Sequence, residues 1–102
     1  MTSEIAREFV DCVTFEDCVA KLNGSFYFCY GLTKNPANGM FSLRVDKYKA
    51  LYPETMFLCE VLNVESKDRN DCMGHFQNDA FWEGKNFWEA APDMEWTDYA
   101  GE

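Results

Sequence analysis

The sequence predicts an α+β fold: an N-terminal helical segment packed on a three- or four-stranded antiparallel sheet, followed by an acidic, aromatic C-terminal segment. Three observations carry this. Apolar residues recur at helical spacing before residue 23, they alternate or run on in three segments between residues 25 and 64, and strong turn dipeptides separate those segments.

The helical segment spans residues 3–22. Ser3 can cap a helix beginning Glu4-Ile-Ala-Arg, and early acids suit the positive end of its dipole. Ile5, Phe9, Cys12 and Val13 form one apolar stripe; Phe15, Cys18, Val19 and Leu22 form another, turned by about 100°. One straight helix cannot bury both against one sheet. Thr14-Phe-Glu-Asp17 resembles a capping box, so a kink or two short helices meeting near Val13–Thr14 is expected, with Asn23-Gly24 as the closing cap. Alternation of Ile5, Arg7, Phe9, Asp11 and Val13 also fits an edge strand, but Ala-Arg-Glu is better helix material.

The sheet is expected at residues 25–32, 40–48 and 55–64 in meander order. Phe26, Phe28, Tyr30 and Leu32 share one face of the first strand. In the second, Phe41, Leu43 and Val45 point inward, while Ser42, Arg44 and Asp46 point outward. Asn35-Pro and Asn38-Gly mark the turn between them. The third, Thr55 to Val64, is apolar on both parities except at Glu60 and Asn63, which suits a central strand covered on each side. Glu65–Asp71 reads as a polar loop.

From Asp71 to Glu102 the pattern allows more than one reading. Phe81-Trp-Glu and Phe87-Trp-Glu repeat six residues apart around Gly84. A tight hairpin at Gly84–Asn86 and a helix capped by Asn78 or Asp79 and stopped by Pro92 both fit.

At 102 residues the chain makes one domain, and 47% hydrophobic and 17% aromatic content supports an ordered core. The net charge is −9, unevenly spread: −3 over residues 1–24, +3 over 25–53 and −9 over 54–102. Direct binding to a nucleic-acid backbone needs clustered cations and is disfavoured; a larger protein with a basic surface is the expected partner. No apolar run is long enough for a bilayer, and Met1-Thr-Ser-Glu lacks the order of a signal peptide, so a cytoplasmic location is expected. The five cysteines are odd in number and irregular in spacing, which favours reduced thiols.

Candidate chemistry is sparse. Cys72-Met-Gly-His75 offers one ligand arm where zinc sites use two, so no metal and no cofactor is expected. His75 could serve a nucleophilic cysteine, but no accompanying motif appears. Glu60 interrupts an apolar strand; it is expected to hold an exposed edge position, or to pair with Arg44 or Lys47 across the neighbouring strand, rather than to work as an acid or base.

What remains is a recognition surface in the C-terminal third. Asp71–Glu102 holds eight acids and one base, interleaved with aromatics. Trp82, Trp88 and Trp96 are candidate anchors, at least one of them core; Asp79, Glu83, Glu89, Asp93 and Glu95 would form the acidic rim. The expected function is a non-enzymatic acidic inhibitor that blocks a basic surface, such as a phage anti-CRISPR-like protein acting by occlusion or nucleic-acid mimicry. A bacterial toxin-immunity protein is a second reading. A small enzyme or ligand-binding domain with a cleft near Glu60 and His75 is a third.

Overall fold

The computed structural model describes residues 1–51 and 53–97; the last five residues of the acidic segment lie outside the described residues. Helix α1 (Ser3–Val13) begins one residue earlier than expected, because Thr2 rather than Ser3 is its cap: Thr2 Oγ1 accepts the Ile5 N–H at 3.2 Å. It buries Ala6, Phe9, Val10 and Val13, at the i, i+3, i+4, i+7 spacing of one face. Thr14 ends the helix by donating its hydroxyl to the Asp11 carbonyl at 2.6 Å, so it closes a helix rather than opening one.

The expected second helix is strand β1 (Cys18–Leu22). Asn23 and Gly24 carry φ values of 50° and 81°, both left-handed, which is the two-residue turn whose twist suits a hairpin. They join β1 to β2 (Ser25–Lys34), with Cys18 opposite Cys29 and Leu22 opposite Ser25. Five residues make barely more than one helical turn, whereas the hairpin pairs their backbone along its length.

Strands β3 (Phe41–Ala50) and β4 (Met56–Ser66) follow in the expected meander. The chain then crosses back over the sheet through helix α2 (Arg69–Asn78), where a loop was expected as far as Asp71. Asp68 caps it, accepting the Asn70 N–H at 2.9 Å, and Cys72, Met73 and Phe76 face inward. Neither reading of the following stretch holds as expected: the turn falls at Glu83–Gly84 rather than Gly84–Asn86, and Asp79 closes α2 instead of capping a helix that runs to Pro92. Trp82 and Lys85 exchange backbone hydrogen bonds of 3.0 and 3.1 Å around a tight turn, with Glu83 and Gly84 at φ 55° and 83°. Helix α3 (Phe87–Ala90) follows, held by reciprocal Asn86–Glu89 capping. A 3-10 turn at Ala91–Asp93, with Pro92 in its first turn, leads into strand β5 (Met94–Thr97).

The sheet thus has five antiparallel strands in the order β4-β3-β2-β1-β5. Two expectations are corrected here. Among the described residues there are five strands rather than three or four, because β1 and β5 join the meander. Strand β4 is an edge, not a central strand, because the last strand pairs with β1 at the opposite side. Met56 to Glu60 are all exposed.

The sheet's two faces differ. Ala20, Leu22, Tyr27, Cys29, Leu43, Val45 and Leu62 pack with the buried residues of α1 and α2 into one core. The opposite face carries Lys21, Phe26, Phe28, Tyr30, Arg44, Asp46, Tyr48, Phe57 and Glu60 by register. Among the described residues no helix is long and apolar enough to cross a membrane.

Candidate binding surface

The eight residues singled out as partner-binding divide into two groups. Asp79, Trp82 and Glu83 lie at the end of α2 and in the turn that follows it. Trp82 is fully buried, ringed by Tyr27, Phe76, Phe81 and Phe87, and its indole N–H donates to the Phe76 carbonyl at 3.3 Å. It is the core tryptophan of the three. Glu83 accepts the Tyr27 hydroxyl and pairs with Lys47 Nζ at 2.6 Å. The lysine bond, then the tyrosine bond, hold its carboxyl below the ordinary value of 4.5. Burial, then the bond to Glu83, pushes the Tyr27 phenol up. Asp79 lies 2.9 Å from His75 Nδ1 at the end of α2, and that bond raises the His75 pKa above 6.5.

Trp88, Glu89, Asp93, Glu95 and Trp96 occupy α3, the 3-10 turn and β5. Trp88 is 38% exposed, resting edge-on against Phe87. Glu89 has a structural role in the α3 cap. Trp96 is half-buried, edge-on to Phe9 at 5.2 Å between ring centres. The Met1 amino group donates to the carbonyls of Ala91 and Met94, binding the start of α1 to this segment. Together these contacts frame a cleft of about 330 Å³ lined by Met1, Ile5, Met94, Glu95 and Trp96. Ile5 is 41% exposed, and Glu4 and Glu8 are exposed on the same helix. The tertiary structure therefore joins C-terminal residues to an N-terminal helix that the sequence left outside the candidate surface.

A second surface escaped sequence reasoning. On the sheet face away from the helices, Asp46 is 1% exposed, the one charged residue buried among the described residues. Arg44 Nε lies 2.8 Å from it and the Tyr30 hydroxyl donates to it at 3.1 Å. Arg44 also reaches Glu60 at 3.2 Å, the expected cross-strand pairing. Tyr48 stands beside them, its hydroxyl 3.4 Å from that of Tyr30, and Phe57 packs edge-on against Tyr48 at 5.5 Å. Hydrogen bonding to Tyr48, then burial, pushes the Tyr30 phenol up. No local signal marks this surface, since an exposed strand face and a buried one read alike in sequence.

Glu60 and His75 are not brought together. Glu60 pairs with Arg44 on the face away from α2, whereas His75 sits exposed on α2, which packs against the other face. Burial raises the pKa of the Cys18 and Cys29 thiols, which disfavours the thiolate a nucleophile needs. Among the described residues no group of three or more His, Cys, Asp or Glu side chains is placed to hold a metal ion.

Comparison with known proteins finds no matching family model, no matching curated protein and no matching solved structure.

Proposed function

We propose that this chain is a non-enzymatic binding protein that docks on, and occludes, a basic surface of a larger protein. One observation carries the reading: the cleft of Met1, Ile5, Met94 and Trp96 presents apolar surface with Glu95 on its wall, in a chain of net charge −9. Apolar anchors within a carboxylate rim suit a cationic partner, the acids speeding encounter and the anchors slowing release. Exposed Trp88, Asp93 and Glu89 lie on the elements that lead into β5 and extend that rim in sequence. Occlusion of a surface meant for nucleic acid would make the protein an inhibitor of the kind phages direct at host enzymes, with toxin neutralisation as the neighbouring role.

The test begins with a photoreactive amino acid at Ile5, an exposed position on the cleft, to trap the partner and map the trapped surface. The purified pair is then measured with variants. Trp88→Ala or Ile5→Ala should weaken binding at least about tenfold while leaving the melting temperature near its original value. Pooled reversals of Asp93 and Glu95 should slow association and flatten its salt dependence. A trapped surface without clustered Lys or Arg, or variants that bind like the parent, would overturn the reading.

A further inference from the structure

We propose that Cys12 and Cys18 are an oxidation site, a dithiol that a peroxide converts to an intramolecular disulfide with Glu16 as the base. The site lies at the joint between α1 and β1 and rests on none of the functional reading above.

The five free cysteines are not equivalent. Cys29 is fully buried, and its thiol donates to the Tyr27 carbonyl at 3.9 Å. Cys72 is buried as well, donating to the Phe41 carbonyl at 3.6 Å. Cys59 is exposed on β4, with Lys47 as its register partner. Cys12 closes α1 and Cys18 opens β1, and the two meet at one residue. Cys12 Sγ donates to Glu16 Oε1 at 2.7 Å, and Cys18 Sγ donates to the Glu16 carbonyl at 3.7 Å. The two thiols are also in hydrogen-bonding contact with each other.

The backbone holds this arrangement from both sides. The N–H groups of Phe15 and Glu16 donate to the Cys12 carbonyl at 3.1 and 2.9 Å, folding the chain back onto the helix end. Gly31 passes so close that a Cβ there would lie 2.9 Å from the Glu16 carbonyl carbon, and its N–H donates to Asp17 at 2.8 Å. A disulfide needs two thiols brought together by backbone that does not have to move far. Cys18 has one rival partner, Cys29, opposite it in the sheet. Cys29 is sealed from solvent, whereas Cys12 is half-buried beside exposed Phe15, Glu16 and Asp17.

Burial keeps both thiols protonated at rest, so attack on an oxidant needs a base in contact with sulfur. Glu16 takes the Cys12 proton, and the thiolate attacks one peroxide oxygen. The O–O bond breaks, and the departing hydroxide takes the proton from Glu16 to become water. Cys12 is then a sulfenic acid. The Cys18 sulfur attacks it, the S–S bond forms, and a second water leaves with the Cys18 proton. Two thiols lose two electrons and one hydrogen peroxide becomes two waters. The bond would tie the last turn of α1 to β1, and the first turn of that helix carries Ile5 of the cleft.

The experiment treats the whole reduced chain with hydrogen peroxide and follows it by tryptic mapping without reductant. No lysine or arginine lies between Arg7 and Lys21, so both cysteines fall in the peptide of residues 8–21, apart from the other three. That peptide should become lighter by two hydrogens, and dithiothreitol should reverse the change. The oxidised chain should melt at a higher temperature, since the closed loop restricts the unfolded state. Glu16→Gln, at an exposed position, should slow the bridge at least about tenfold without changing the oxidation rate of Cys59. Cys18→Ala should leave a Cys12 sulfenic acid that dimedone traps; Cys12→Ser, at a half-buried position, should abolish the change in peptide 8–21 even if the first variant folds poorly. Peptide 8–21 recovered with two free thiols while Cys59 is consumed overturns the proposal. So does a bridge from Cys18 to Cys29, or a sulfinic acid at Cys12 beside a free Cys18. A bridge that forms equally fast in Glu16→Gln overturns the assignment of the base.

Discussion

Lys47 Nζ lies 2.6 Å from Glu83 Oε2, tying the middle of the third strand to a tight turn 36 residues further on. The same carboxylate accepts the Tyr27 hydroxyl from the second strand. Because Lys47 and Tyr27 are register partners, one side chain clamps two strands to the turn that carries Trp82.

That clamp has a pH signature. The Glu83 carboxyl is held below its ordinary value of 4.5, so its contribution is present above that value and is lost as pH falls through the lower folded-state value. Both partners are partly exposed, and screening keeps the pair modest: Glu83→Gln should cost about 1 kcal/mol near neutrality. Urea unfolding of parent and variant should converge in acid. A constant difference across that range would show that the ion pair contributes nothing.

His75 offers the opposite sign. Its bond to Asp79 raises its pKa above 6.5, so the pair's contribution is present below 6.5 and is lost as pH rises through the folded-state value. In an NMR titration the His75 midpoint should lie above 6.5 and fall toward it in Asp79→Asn. A midpoint that ignores the substitution would remove Asp79 as the cause.

Arg44 neutralises a carboxylate buried in the sheet. Arg44→Met should lower the melting temperature, since Asp46 would keep only the Tyr30 hydroxyl as partner. The double variant Arg44→Met with Asp46→Leu should lose less than the single one, because no buried charge is then left unpaired. Strict additivity in thermal or urea unfolding would argue against the coupling.

Gly31 sits where β2 passes the backbone of Glu16. A Cβ there would fall 2.9 Å from the Glu16 carbonyl carbon, and the Gly31 N–H donates to Asp17 at 2.8 Å. Gly31→Ala should therefore cost about 2 kcal/mol or more, as the contact is backbone rather than a movable side-chain tip. A melting temperature unchanged by the substitution would mean that the 16–17 segment yields freely.

The tryptophans should separate cleanly in stability. Trp82→Ala removes the largest fully buried side chain and should cost about 3–5 kcal/mol. Trp88→Ala should cost about 1 kcal/mol or less, as it strips only an edge contact with Phe87. Equal losses would contradict the difference in burial.

The chain by itself determined whatever depends on neighbouring residues. The N-terminal helix, the three-strand meander and its turns follow from side-chain periodicity and turn chemistry, which act over a few residues. Pairing of Glu60 with Arg44 was one of the outcomes that meander order allowed, beside an exposed edge position and a pair with Lys47. Three features were decided only in three dimensions. Cys18–Leu22 became a strand because a partner lay across Asn23-Gly24, not because of its own composition. Strand β4 has the continuous apolar run of a central strand, yet it is an edge, because Met94–Thr97 found its partner in β1. An exposed apolar strand and a buried one look alike in sequence, since burial belongs to whatever packs against them. Trp82, Trp88 and Trp96 sit in near-identical acidic surroundings along the chain, and only packing against Tyr27, Phe76 and Phe87 placed the first of them in the core.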